Sequence, residues 1–141
     1  MNKKLTIHKR VLNYTSFDKI LELKPRVLIL MCHGQLVTDK TGKEHCYFCF
    51  EDEKEPWLID KVDEERLSLL LKDRKTEIDC ILLSTCHSER LGKMFVNILE
   101  PAPAVVCINS TDQIAQASTF VFNPKFLQSL LRGNSVQEAF D

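Results

Sequence analysis

Two short runs carry residue types that could do nucleophilic chemistry. Ile78-Asp79-Cys80-Ile81-Leu82-Leu83-Ser84-Thr85-Cys86-His87-Ser88-Glu89 starts as an apolar, β-forming run, ends at a cysteine among small polar residues, and then opens an amphipathic segment. A continuous apolar run bounded by turn signals predicts a buried, parallel strand. Val27-Leu28-Ile29-Leu30-Met31 has the same character and ends at Cys32-His33-Gly34. Catalytic groups in open α/β sheets collect beyond the carboxyl ends of the strands. Two such strands in one parallel sheet would therefore bring His33 and Cys86 to one edge.

A cysteine attacks as its thiolate and needs an adjacent base or a depressed pKa. His33 supplies the base or the imidazolium partner. The segment after Cys86 predicts a helix from about Ser88 to Leu99, whose unpaired N–H groups would face the sulfur. Gly34 relaxes the backbone beside His33, and its N–H with that of Cys86 makes a two-donor oxyanion hole. His87 follows Cys86 directly and would point the other way along a strand, which makes it a turn or surface residue rather than the base.

The elements that must hold these groups follow from pattern. Leu5-Thr6-Ile7-His8 predicts a short strand, and Ser16 caps a brief helix with Phe17, Ile20 and Leu21 on one face. Pro25 separates it from the Val27–Met31 strand. Turn residues at 38–43 and the strand pattern of 44–50 predict a hairpin-like excursion, after which Trp57-Leu58-Ile59 returns to the core. A helix is expected over Val62 to Lys75, capped by Asp60 or Asp63. Pro101 and Pro103 end the helix after Cys86, and Ala104-Val105-Val106-Cys107-Ile108 is a third core strand. Ser110 or Thr111 then caps a helix carrying Ile114, Ala117, Val121 and Phe122. Another helix starts at Asn123-Pro124 and stops at Gly133, and Ser135 to Glu138 forms a capping box. Strand and helix alternate, which predicts a parallel α/β sheet with helices on both faces.

The chain has 141 residues, 44% of them hydrophobic and 28% charged, which fits one globular domain. A net charge of −1 gives no electrostatic case for nucleic acid or an anionic membrane. Its apolar runs are too short to span a bilayer, and Met1-Asn2-Lys3-Lys4-Leu5 lacks the apolar core of a signal peptide. The six cysteines are therefore read as reduced thiols in a cytoplasmic protein. His45-Cys46-x-x-Cys49 has no second ligand pair, so a plain strand is favoured over structural zinc. No metal or other cofactor is expected. Glu51 to Glu55 reads as a solvated acidic loop.

His33-Gly34 after an apolar strand resembles the caspase-like clan of cysteine peptidases, in which a histidine lies about 50 residues upstream of the cysteine. Leu82 to Gly92 is similar to the Ser-x-Cys block of CHAT domains, the separase-related branch of that clan. Val105 to Ile108, Phe120, Phe126-Leu127, Leu130, Gly133, Ser135-Val136 and Glu138-Ala139-Phe140 resemble the ending of those domains. The likeness runs in order over roughly residues 26–140. It implies a caspase-like, mostly parallel sheet flanked by helices and hydrolysis of peptide bonds, with Cys86 as nucleophile and His33 as its partner. The chain departs from the pattern at Thr85, where Ala is usual, and at Gln116, where many members have Asp. The clan's first strand and helix have no counterpart upstream of Leu5. Residues 1–141 are thus read as one CHAT-like domain or the C-terminal portion of one, completed by a partner chain or a fused repeat domain.

Two functions from different classes follow. One is a cysteine endopeptidase with a Cys86/His33 dyad acting on a peptide or protein substrate. The other is a catalytically inactive caspase-like module used for protein interaction or regulation. A flavodoxin- or response-regulator-like domain ranks below both, because the chain lacks a phosphate-cradling Gly-rich loop and an acidic pair at a strand end.

Overall fold

The computed structural model describes residues 6–109 and Arg132. Helix α1 (Tyr14–Glu22) is followed by strands β1 (Val27–Met31), β2 (His33–Thr38), β3 (Glu44–Glu51) and β4 (Ile59–Val62). Helix α2 (Glu64–Leu71), strand β5 (Cys80–Thr85), helix α3 (Ser88–Ile98) and strand β6 (Ala104–Asn109) complete the described order.

The strands form two three-stranded sheets. The first is parallel, in the order β1-β5-β6, with Val27 opposite Cys80, Met31 opposite Ser84, and Thr85 opposite Asn109. Its central strand β5 is buried at every position, as its unbroken apolar run requires. The entrance to the β1–β5 pair is fixed by the Asp79 N–H donating to the Arg26 carbonyl at 2.8 Å and by the Arg26 Nε–H donating to Asp79 at 2.6 Å. The second sheet is antiparallel, in the order β2-β3-β4. Its first turn is built by Asp39, whose carboxylate accepts from the N–H groups of Thr41 and Lys43, while Gly42 takes the left-handed conformation (φ 86°).

One apolar core joins the two sheets. Phe17 and Leu21 of α1, Leu28 and Leu30 of β1, Phe48 and Phe50 of β3, Ile81 and Leu83 of β5, and Leu91 and Phe95 of α3 all belong to it. A chain of aromatic contacts crosses it. Phe17 meets Phe50 at 5.7 Å, Phe50 meets Phe48 at 6.1 Å, and Phe48 meets Phe95 at 5.7 Å between ring centroids. Edge-on and tilted arrangements of this kind are favourable beyond the area they bury. The aromatic residues of β3 thus tie the antiparallel sheet to α3, the helix that follows Cys86. Cys80, Leu82 and Val106 are buried apart from this core, on the other face of the parallel sheet.

Several expectations are corrected. Residues 6–8 form no strand. The first helix begins earlier than Ser16, because Asn13 is its cap: the Asn13 side chain accepts from the Ser16 N–H, and the Asn13 N–H donates back to the Ser16 hydroxyl. Val62 ends a strand rather than starting a helix. Asp63 caps α2, accepting from the Arg66 N–H at 2.9 Å, and the helix stops at Leu71. The excursion after His33 is the expected hairpin, of β2 and β3, which β4 extends to a three-stranded antiparallel sheet. Trp57, Leu58 and Ile59 do not return to the core: they are 77%, 48% and 62% exposed, at and before the start of edge strand β4. The helices expected after Asn109, with Gln116, lie outside the described residues. Among the described residues no helix is long and apolar enough to cross a membrane.

Candidate active site

Cys86 stands in the turn between β5 and α3, half-buried, two residues before the first helical residue Ser88. His87, between them, holds the left-handed conformation (φ 58°) at the helix N-cap and makes no side-chain capping bond. It is a turn residue, as its position beside Cys86 predicted. A sharp turn there lets the chain leave the sheet and enter α3 at once, with Ser88 fully enclosed.

His33 is the first residue of β2 and is exposed. The Cys32 N–H donates to the Ser84 carbonyl at 3.3 Å, which carries the β1–β5 pairing past Met31. His33 follows at once as the first residue of β2, in the antiparallel sheet, just beyond the end of β1. The approach of this segment to Cys86 is made at Gly34. A Cβ placed on it would overlap the Cys86 carbonyl oxygen and lie 2.9 Å from both Thr85 Oγ1 and Leu91 Cδ1. Only a residue without a side chain lets the two backbones come this close. The structure therefore brings Gly34 against Cys86, with His33 the residue before Gly34 in β2.

Two further groups belong to this edge. Thr85 is completely buried, and its hydroxyl donates to the Cys86 carbonyl at 3.3 Å. It is also hydrogen-bonded to Cys32, whose thiol burial pushes up to about 12. Cys32 is thus a protonated thiol at any physiological pH, not a second nucleophile. Cys49 lies directly across from His33 in the β2–β3 pair. Burial raises its pKa first, nearby Lys61 lowers it, and proximity to Cys86 raises it again. Its sequence signal was ambiguous: alternation in β3 put His45, Tyr47 and Cys49 on one face, but only the register shows that the face is the one His33 occupies.

Of the remaining thiols, Cys80 is buried in β5, whereas Cys107 is exposed and donates from Sγ to the Ser88 carbonyl at 3.3 Å. Burial raises both pKa values. Cys46 faces Arg90, which is ion-paired with Glu44. Among the described residues no three His, Cys, Asp or Glu side chains form a group able to hold a metal ion. His45 instead pairs with Asp39 at 2.9 Å and stacks on Tyr47. Comparison with protein-family models, curated proteins and solved structures finds no match.

Proposed function

We propose that this chain is a cysteine endopeptidase domain of caspase-like architecture, similar to CHAT domains, with Cys86 as nucleophile and His33 as its general base. The observation that supports the reading is the meeting of the start of β2 with the turn after β5, where Gly34, the residue after His33, packs on the Cys86 carbonyl. His33 takes the proton from Cys86 Sγ, and the thiolate attacks the peptide carbonyl carbon. The N–H groups of Gly34 and Cys86 receive the negative charge of the tetrahedral oxyanion. His33 then protonates the leaving amine, and water hydrolyses the thioester. The substrate is a peptide or protein, the reaction takes place in the cytoplasm, and no metal is required.

A second reading, a catalytically inactive module that binds a partner protein, is favoured by the exposed Trp57, Leu58 and Ile59 at edge strand β4. Exposed apolar residues on a strand edge are a template for pairing.

Iodoacetamide labelling across about pH 5–9 decides between them, with adducts assigned by mass spectrometry. The peptidase reading expects Cys86 to react ahead of the other five cysteines below about pH 8, and His33→Ala to slow it. Cys86 reacting no faster than Cys80 or Cys107 sinks the dyad and leaves the interaction module.

A further inference from the structure

A buried hydroxyl needs a reason. Thr85 is fully enclosed, in a strand where its neighbours Ile81, Leu82 and Leu83 are equally enclosed but apolar. Burying a hydroxyl without partners is costly, and this one is fully engaged. It donates its one proton to the Cys86 carbonyl. It also lies beside Cys32, whose pKa it lowers against the larger, opposite effect of burial. The same oxygen lies within 2.9 Å of the place where a Gly34 side chain would begin. One atom thus touches the end of β1, the start of β2 and the carbonyl of the residue after β5.

We infer that Thr85 is a positioning residue for the proposed dyad: its hydroxyl clamps the Cys86 carbonyl between itself and Gly34 and so fixes the Cys86–His87 peptide relative to His33. The inference rests on the reading of Cys86 and His33 as nucleophile and base. The Cys86 carbonyl is the joint on which both halves of the site bear. Gly34 packs on it from the β2 side, and Thr85 holds it from below. The peptide plane it belongs to carries the His87 N–H and leads into a left-handed residue that L side chains enter reluctantly. A peptide at the edge of such a turn rotates readily unless its carbonyl is held. Rotation would swing the Cys86 side chain and the α3 amino end together, away from His33.

The test compares iodoacetamide labelling of Cys86 in wild type, Thr85→Val and Thr85→Ser over about pH 5–9, with Cys80 labelling as an internal gauge of opening of the core. Valine keeps the shape and removes the hydroxyl. It should slow Cys86 at pH 7 by roughly 3- to 10-fold, the scale of one hydrogen bond, and shift its pH profile toward that of His33→Ala. Thr85→Ser should restore at least half the rate, and Cys80 should label no faster in any of them. Valine matching wild type, serine as slow as valine, or slowing accompanied by faster Cys80 labelling overturns the positioning role while the dyad stands. Wild-type Cys86 with no elevated reactivity removes the dyad itself, and the positioning role with it.

Discussion

The α-carbon of Gly34 rests on the carbonyl oxygen of Cys86, and any side chain at position 34 would occupy space already filled by Cys86, Thr85 and Leu91. Gly34 belongs to β2 and Cys86 to the turn that follows β5, so their contact is the seam between the antiparallel and the parallel sheet. Because Gly34 enters β2 while Cys86 leaves β5, the seam also sets where His33 stands. Closeness of the strand ends and geometry of the site are one property.

Gly34→Ala is therefore expected to act on both. The nearest obstacle is a backbone oxygen, which cannot rotate away as a side chain can, so β2 must lift off β5. Overpacking of this kind costs about 1–3 kcal/mol. Urea unfolding should show a lowered midpoint with an unchanged slope, and Cys86 labelling should lose its lead over the other cysteines. An unchanged midpoint together with unchanged Cys86 labelling would mean that the strand ends are not in contact.

The strand ends were legible in the sequence because burial on both faces writes itself as an unbroken apolar run: 27–31 and 80–84 could be read as parallel strands from residue type alone, and the second runs one residue further. The spacing of Leu91, Phe95, Ile98 and Leu99 likewise predicts one apolar stripe along α3 and its C-cap, of which Leu91, Phe95 and Leu99 are buried and Ile98 half-buried. The segment from His33 to Val62 was read less well. Its strands have one face on the core and one in water, and the polar-apolar alternation of Glu44 to Glu51 resembles a simple hairpin strand. That β4 would pair with it was hidden, since Trp57, Leu58 and Ile59 look like core residues and are exposed. Thr85 stood out in the sequence only as a residue where the CHAT pattern has Ala. Its place beside Cys32 and Gly34, distant in the chain, is encoded by no local pattern.

Cys32 predicts an alkaline weakness. Burial raises its thiol from an ordinary value of 9.0 to about 12 in the folded chain. Below about pH 9 both folded and unfolded chains hold the proton, and the contribution of burial is complete. Between about 9 and about 12 the unfolded thiol ionises and the folded one does not, so the unfolded state binds fewer protons and stability falls as pH rises. Cys46, Cys49, Cys80 and Cys107 are raised in the same direction and add to the slope. Urea midpoints measured at about pH 8 and pH 10.5 should drop for wild type and drop less for Cys32→Ala, whatever the variant's stability at the lower pH. Equal drops in the two proteins would show that Cys32 is not held protonated.

Gly92 makes a prediction of opposite sign in two backgrounds. It sits inside α3, where glycine costs about 0.5–1 kcal/mol relative to alanine, so something must repay its presence. A Cβ there would lie 2.8 Å from Cys107 Sγ and 3.1 Å from Val105 Cγ1. The helix thus packs on β6 through the bare backbone of Gly92, and that contact fixes how far α3 stands from the sheet that carries Cys86. Gly92→Ala alone should destabilise the chain, because Cys107 is tied to the Ser88 carbonyl and yields only by giving up that bond. In a Cys107→Ala background the main obstacle is gone, and the same substitution should be neutral or stabilising by up to about 1 kcal/mol through helix propensity. A double-mutant cycle on unfolding free energies then shows a coupling of about 1 kcal/mol or more between the two sites. Additive effects would place α3 farther from β6 than the Gly92–Cys107 contact allows, and with it the turn at Cys86.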